Sequence, residues 1–381
     1  MAHQGGVKVS KQALDKRFNY KTKALLTSLL QEVLAQQISY ASVKQNDMQN
    51  WFTNIHIMDS SEFSVSKKTA DIFPGYGGKG RESLVQIQFE YQLFGSKVTE
   101  LSIGSARDSD NKEGMKNIDK VPPKTLLLRD LGYFSPKAFK DLANRDIYFI
   151  SRAKSQWSFY TSQNGKLTRL TTADIIKKLK NQKEKYLDLD VLVGNQNRTP
   201  VRLVANLLTN KQRKERLKRK SANRKLGTDA LESIGLNLFV TNVERNKCAP
   251  SQIYDLYTLR WQVELIFKTW KSVMQLHKIH PMNATRLECV ILIKLLWVML
   301  NWSILNHLRT LTKQDLSFHK LTHTLQSRSK TLTLSILQNK NKLLKWTMDL
   351  YCISQQHHEK EYKKGRKKVG EILSKTYFKV A

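Results

Sequence analysis

The sequence predicts a mixed α/β fold: a sheet flanked by helices, a β-rich insertion, and helical segments at both ends. Three patterns predict it. From Trp51 to Ser151, strand-like runs alternate with helix-like ones, which implies a mixed sheet covered by helices on both faces. From 156 to 250 the alternation stops and β-rich runs follow one another. After Tyr254 the apolar residues recur at helical spacing.

The elements follow in order. Ser10 can cap a helix through Lys11, Ala13, Leu14 and Phe18, and a second helical run carries Leu25, Leu29, Leu30, Val33 and Leu34. These two helices fit either half of a helix-turn-helix or a packing appendage. Asn54 to Met58 reads as a short strand ended by Asp59, with Ser60-Ser61-Glu62 breaking the pattern. Ile72 to Gly80 is a Gly-rich loop without the spacing of a phosphate-binding P-loop. Val85 to Leu93 alternates strictly, apolar at Val85, Ile87, Phe89, Tyr91 and Leu93 and polar between them. Val98 to Ser105 is its hairpin partner across Gly95-Ser96.

A helical stretch from Asp110 to Lys120 leads to Pro122-Pro123. A buried strand, Thr125 to Leu128, then runs into Arg129 and Asp130. Ser135 caps a helix to about Asn144, and Ile147 to Ser151 is the next strand. Asn164-Gly165 signals a hairpin between Trp157–Gln163 and Lys166–Thr172. Leu187 to Val193, Val201 to Asn206 and Leu236 to Val243 complete the β-rich part. Between the last two lies the most basic stretch of the chain, Lys211 to Lys225, with nine Lys or Arg and one Glu. It reads either as a solvated loop or as a phosphate contact.

Tyr254 to Met274 reads as one amphipathic helix. On a helical wheel Tyr257, Arg260, Glu264 and Lys271 share an arc of about 60°, opposite Leu259, Val263, Ile266, Trp270 and Val273. Such a row is either a solvated charged face or a site meeting metal and phosphate. Val290 to Leu305 reads as a buried core helix, too short and too interrupted by Lys294 and Asn301 for a membrane span. Leu334, Leu337, Leu344 and Met348 extend helical periodicity towards a basic C-terminus. The parts are therefore a helical segment 1–50, a core 51–155, a β-rich insertion 156–250, the second part of the core 251–310, and a basic helical segment 311–381.

Composition sets the partner. The chain has 381 residues, 65 Lys and Arg against 32 Asp and Glu, and a formal net charge of +33. Such an excess attracts any polyanion, nucleic acid being the commonest large one, and its spread along the whole chain suits a long duplex better than the lipid patch of the competing reading, a polybasic membrane-surface protein. Cys248, Cys289 and Cys352 have no metal-ligand spacing and no disulfide framework. With no apolar signal core at the N-terminus, a reducing cytoplasm is expected.

Asp59 and Asp130 end two strands of the expected sheet, and ligands gather at the carboxyl ends of such strands. Together with Glu264 they could hold a pair of Mg²⁺ ions, which suit phosphodiester cleavage. No Ser-His or Cys-His arrangement competes with them.

The spacing Tyr257-x2-Arg260-x3-Glu264-x6-Lys271 resembles the Y-R-E-K signature of bacterial insertion-sequence transposases of the insertion-sequence-four group. The flanking Leu256-Tyr257, Arg260-Trp261 and Phe267-Lys268 are similar to the family's neighbours. Met58-Asp59-Ser60-Ser61-Glu62-Phe63 and Arg129-Asp130-Leu131-Gly132-Tyr133 resemble its two Asp motifs, and Leu238 to Asn242 its strand before the signature helix.

The resemblance implies a ribonuclease-H-like catalytic core with a β-strand insertion. It implies a DDE triad of Asp59, Asp130 and Glu264 that is both catalytic and metal-binding, with Mg²⁺ as cofactor and Mn²⁺ as substitute. It implies cut-and-paste transposition through a DNA hairpin. Tyr257, Arg260 and Lys271 would be DNA-binding residues on phosphates of the element end, and Trp261 would sit beside a flipped base or else in the core. The implied partners are double-stranded DNA, as terminal inverted repeats and target, and a second copy of the chain on DNA, in a bacterial cytoplasm at the nucleoid. The family usually carries a longer N-terminal DNA-recognition domain, so 1–50 reads as a truncated one. The alternative function is a non-catalytic DNA-binding remnant that inhibits transposition.

Overall fold

The computed structural model describes residues 10–37, 47–153, 157–196, 198–221, 231, 233–362 and 367–373. Its strands are β1 Ile55–Ser64, β2 Leu84–Gln92, β3 Val98–Ser105, β4 Leu126–Arg129, β5 Tyr148–Arg152, β6 Phe159–Gln163, β7 Lys166–Leu170, β8 Tyr186–Val193, β9 Thr199–Leu207 and β10 Leu236–Thr241. The chain divides into two compact units. One comprises Met1–Ser42, Ser60–Asp108 and Val263–Lys364; the other comprises Val43–Asp59, Ser109–Gln262 and Gly365–Ala381.

The second unit holds most of the sheet, in the order β1-β4-β5-β10-β9-β8-β6-β7. β1, β4 and β5 run parallel, with Ile55 opposite Leu126 and Leu126 opposite Tyr148. From β5 onward every pairing is antiparallel. The parallel strands are apolar along their length, as strands covered on both faces must be: Ile55, Ile57, Leu126, Leu127, Leu128, Phe149 and Ile150 have essentially no exposure. Phe139, on the helix Pro136–Asn144, stacks on Phe149 at 4.2 Å and meets Trp157 edge-on at 5.4 Å. Ser135 starts that helix by accepting from the Ala138 amide, with Pro136 at its first position. The hairpin of β6 and β7 turns on Asn164 and Gly165 at φ 50° and 74°, the left-handed values a two-residue loop needs. β7 ends at Leu170, short of the expected Thr172, and Thr171 and Asp174 form a capping box on the helix Thr172–Asn181.

In the first unit, β2 and β3 form the expected hairpin, in register from Val85 opposite Ser105 to Tyr91 opposite Val98. The polar face of β2 is also covered, since Gln86, Gln88 and Glu90 are buried. Phe89 is the centre of an aromatic cluster with Phe267, Trp270 and Trp302 at 6.1, 5.1 and 5.9 Å. Trp302 lies on the long helix Ala284–Thr312, where Cys289, Ile291, Leu295, Met299 and Leu305 are fully buried. That helix is long and apolar enough to cross a membrane by composition alone, yet it packs as the expected core helix. The N-terminal helices Lys11–Asp15 and Tyr20–Ala35 dock on it: Lys23 pairs with Glu288 at 2.6 Å and Arg286 pairs with Asp15.

Three local expectations change. β1 does not stop at Asp59 but runs on to Ser64. Its polar residues keep the two-residue alternation, with Ser61 and Phe63 both buried, and Gln86 donates to the Ser60 hydroxyl at 3.1 Å. Lys211–Lys225 is no loop at its start, because Asn210–Ser221 is a helix. In the C-terminal helices Ser329–Gln338 and Lys340–His357, the buried residues are Leu332, Trp346 and Leu350, while Leu334, Leu337, Leu344 and Met348 are exposed. The basic run Lys363–Lys368 lies mostly outside the described residues, as does the tail beyond Leu373.

Candidate active site

The parallel register of β1 on β4 places Met58 opposite Arg129. The next residue on each strand is an aspartate, and Asp130 keeps an extended backbone at φ −72° and ψ 167°. In-register residues of neighbouring strands project to the same side, and the strands are about 4.8 Å apart. Asp59 and Asp130 thus stand side by side at the carboxyl edge of the parallel strands. Arg129 fixes the end of β4, buried and donating to the Gly114 carbonyl.

Two residues of the following segment reach this pair. Arg260 Nη1 donates to Asp59 Oδ2 at 2.7 Å, with the two side chains 15% and 18% exposed. The Tyr257 hydroxyl donates to Asp130 Oδ1 at 3.4 Å. Tyr257 is itself held by Phe239 of β10, ring to ring at 5.2 Å, and the Arg260 guanidinium lies 5.8 Å from its ring centre. Burial pushes the Tyr257 phenol well above its ordinary range, and the negative Asp130 adds to this against the opposing charge of Arg260. Tyr257 is therefore a neutral hydrogen-bond donor at any physiological pH.

The single long helix expected over Tyr254–Met274 is two helices, Pro250–Thr258 and Trp261–Ser272. Between them the Leu259 amide donates to the Leu256 carbonyl and the Arg260 amide to that of Tyr257, a tight three-residue spacing. Buried Leu259 occupies the turn. The wheel that put four polar residues on one face does not continue through this turn. Arg260 sits in the turn, and its side chain is spent on Asp59.

Glu264 and Lys271 belong to the other unit. Glu264 is half-buried in the first turn of the helix Trp261–Ser272 and Lys271 is exposed in its last, each where the helix dipole favours its charge. Val263, Ile266, Phe267 and Trp270 bury the opposite face. Lys271 donates to the Glu62 carbonyl at 3.3 Å. The Glu62 carboxylate accepts from Arg81 at 2.8 Å and from Tyr76 at 3.1 Å. The Gly-rich loop that presents this pair turns through Gly77, Gly78 and Gly80 at φ 86°, 84° and 76°. Trp261 is 38% exposed, so its ring is not a core side chain.

As donors, Asp59 and Asp130 fit a hard divalent ion. Mg²⁺ takes one or two carboxylates and fills the remaining positions with water and substrate phosphate oxygens. Among the described residues no group of three His, Cys, Asp or Glu side chains is gathered for a metal. His357-His358 is not such a group: the His358 ring is engaged at both nitrogens, by Thr324 at 2.9 Å and Ser354 at 3.0 Å.

One buried cation had no signal in the sequence beyond its position in a strand. Arg202 of β9 is bidentate to Asp188 at 2.9 and 2.8 Å and donates to the Val243 and Cys248 carbonyls at 3.0 and 2.8 Å. It ties the insertion to the loop that enters the helix Pro250–Thr258. A basic residue alternating with Val201 and Leu203 is the trace it leaves.

Residues 50–300 match the family model of the transposase DDE domain. The transposase for insertion sequence element IS231F of Bacillus thuringiensis subsp. israelensis is 30% identical, over 98% of this chain and 82% of that protein. The transposase for insertion sequence element IS1151 of Clostridium perfringens is 28% identical, over 77% of this chain and 66% of that protein. Among solved structures, the piggyBac transposase synaptic complex with hairpin DNA aligns at 10% identity and a TM-score of 0.41, over 82% of this chain and 59% of that one.

Proposed function

The chain belongs to the transposase DDE domain family, and on that premise we propose that it is the transposase of a bacterial insertion sequence of the insertion-sequence-four group. It cuts DNA at the element's terminal inverted repeats and joins the ends to target DNA, working as a homodimer on DNA at the bacterial nucleoid. Its catalytic core is ribonuclease-H-like, divided by the insertion 156–250 and flanked by the helical segments 1–50 and 311–381. The observation that carries the reading is the in-register pair Asp59 and Asp130, met by Arg260 and Tyr257.

Asp59, Asp130 and Glu264 would hold divalent cations, Mg²⁺ or in its place Mn²⁺. When bound, the ions supply activation of the attacking water or 3′-hydroxyl and stabilisation of the leaving oxygen. The chain's own residues do the rest. Asp59 is fixed by strand pairing up to Met58, so the carboxylate is presented without a loop to order. Arg260 neutralises Asp59 in the DNA-free protein. Its planar fork is equally matched to a phosphate, so it moves between the two as DNA arrives. Tyr257 donates its phenol proton to a phosphate oxygen, and Lys271 adds a point charge further along the strand. Trp261, partly exposed, stacks on an extruded base.

The test uses the purified full chain, duplexes ending in the element's terminal inverted repeats, and Mg²⁺ or Mn²⁺. Specific, metal-dependent cleavage is expected, and Glu264→Gln should lose cleavage while keeping binding. Equal cleavage by Glu264→Gln removes that residue from the mechanism. Duplex binding with no metal-dependent cut would instead support the inhibitory remnant. Cutting without regard to end sequence would mark a general nuclease.

A further inference from the structure

The basic helix Asn210–Ser221 lies between β9 and β10, and its cations from Lys211 to Lys218 divide by type. On a wheel of about 100° per residue, Lys211, Lys214 and Lys218 share one face within about 60°, while Arg213 and Arg216 lie on the opposite one. The arginine face is a mounting. Arg216 is half-buried and donates to the Leu236 carbonyl at 2.9 Å, the Ile234 carbonyl at 3.4 Å and the Asn237 side chain at 2.6 Å. The Arg213 stem covers Gly235, coming within 3.5 Å of where a Cβ would stand. Thr209 and Gln212 close the N-terminus by accepting from each other's amides at 3.3 and 3.1 Å. The three lysines are exposed on the far side.

Topology says where that face looks. β10 runs antiparallel to β5, and β9 antiparallel to β10. The end of β9 at Leu207 and the start of β10 at Leu236 are paired, and both lie at the edge where β1, β4 and β5 have their carboxyl ends. The helix therefore stands on the sheet edge that carries Asp59 and Asp130, about two to three strand spacings along, on the order of 10–15 Å.

We propose that the Lys211, Lys214 and Lys218 face binds the phosphate backbone of duplex DNA running along this edge, independently of its sequence. The inference rests on the function proposed above and adds a second DNA-binding zone to it. The lysines span about 10 Å of helix axis, a length over which one DNA strand presents about three phosphates. A membrane surface fits poorly, because Leu217 is the one apolar side chain of the helix, far less apolar area than an interfacial helix lays into lipid. Lysine point charges without hydrogen-bonding forks also suit backbone binding rather than base readout.

The experiment compares the full chain with K211Q/K214Q/K218Q on labelled duplexes of random sequence, by fluorescence anisotropy across a salt series. The slope of log affinity against log salt should fall by about 2–3, at about 0.9 for each phosphate no longer neutralised. Affinity near physiological salt should drop at least tenfold. The matching Lys→Arg triple variant should keep binding, and far-UV circular dichroism and a thermal melt should show both triples folded. An unchanged slope and affinity in a folded glutamine triple would overturn the inference and leave the catalytic reading standing. Failure of the unaltered chain to bind any duplex would overturn both. Lysine-dependent binding to vesicles of anionic lipid, with none to duplex, would also overturn it.

Discussion

Arg260→Gln should make the DNA-free protein bind Mn²⁺ more tightly. Asp59 is occupied by the Arg260 guanidinium at 2.7 Å, with the two side chains 15% and 18% exposed. A divalent ion entering at Asp59 must break or share that ion pair and must approach a fixed positive charge. A charge-assisted hydrogen bond in such a setting is worth about 1.5–3 kcal/mol. At about 1.4 kcal/mol per tenfold, its removal should lower the Mn²⁺ dissociation constant by about 10- to 100-fold. Isothermal titration, or electron paramagnetic resonance of free Mn²⁺, reads this without DNA or turnover. Asp59→Asn is the control and should abolish the gain when combined with Arg260→Gln. Thermal melts add a second reading: Arg260→Gln should melt lower than the unaltered chain without metal, and Mn²⁺ should raise it more. Equal or weaker Mn²⁺ binding by Arg260→Gln would refute the idea that the guanidinium and the metal compete for one carboxylate. Loss of all effect of Asp59→Asn on Mn²⁺ binding would remove Asp59 from the metal site.

Other outcomes follow from packing and ionisation. Arg202→Met removes a buried guanidinium, leaves the half-buried Asp188 with Arg245 alone, at 3.2 Å, and frees two carbonyls; chemical denaturation should show a loss of about 2–3 kcal/mol. Phe139→Ala removes a fully buried ring stacked on Phe149 and should cost about 3–5 kcal/mol by the same measurement. Burial pushes the Cys248 thiol up to about 12, so iodoacetamide at neutral pH should label exposed Cys352 and spare Cys248, as peptide mass spectrometry would report. Burial, helped by His357 and Lys320, lowers His358 below its ordinary 6.5. The unfolded chain then binds the proton more readily, so stability should be full above about 6.5 and fall as pH drops below it. His358→Gln should flatten that part of a melting-temperature profile.

What the sequence disclosed depended on how local each signal was. The β2–β3 hairpin was legible because Val85 to Tyr91 alternates and Gly95-Ser96 supplies left-handed turn residues, at φ 88° and 52°. Asn164-Gly165 and the Ser135 cap were legible for the same reason. The extension of β1 through Ser60, Ser61 and Glu62 was not, since only pairing within the fold makes polar residues extended there. The break at Leu259–Arg260 left no Gly or Pro to mark it, and a run of good helix formers reads as continuous. Lys211–Lys225 looked like a loop because the hydrogen bonds of Arg216, which hold it as a helix, come from residues 18–21 positions away. In the site, Asp130 was legible as a strand end, and Asp59, which β1 runs past, as the first residue after that strand's apolar part. Their partners were not, because Arg260 was assigned to a helix face that the turn interrupts.

The ion pair between Asp59 and Arg260 joins residues 201 positions apart. A ribosome adding about 5–20 residues per second needs on the order of 10–40 s to travel that distance. During that interval the nascent chain carries Asp59 before its arginine has been made. β1 can meet β4 long before then, so the carboxylate is lodged at the sheet edge ahead of the guanidinium that will face it. Synthesis order thus separates the formation of the sheet from the arrival of that cation, and the last step waits for the signature segment to emerge.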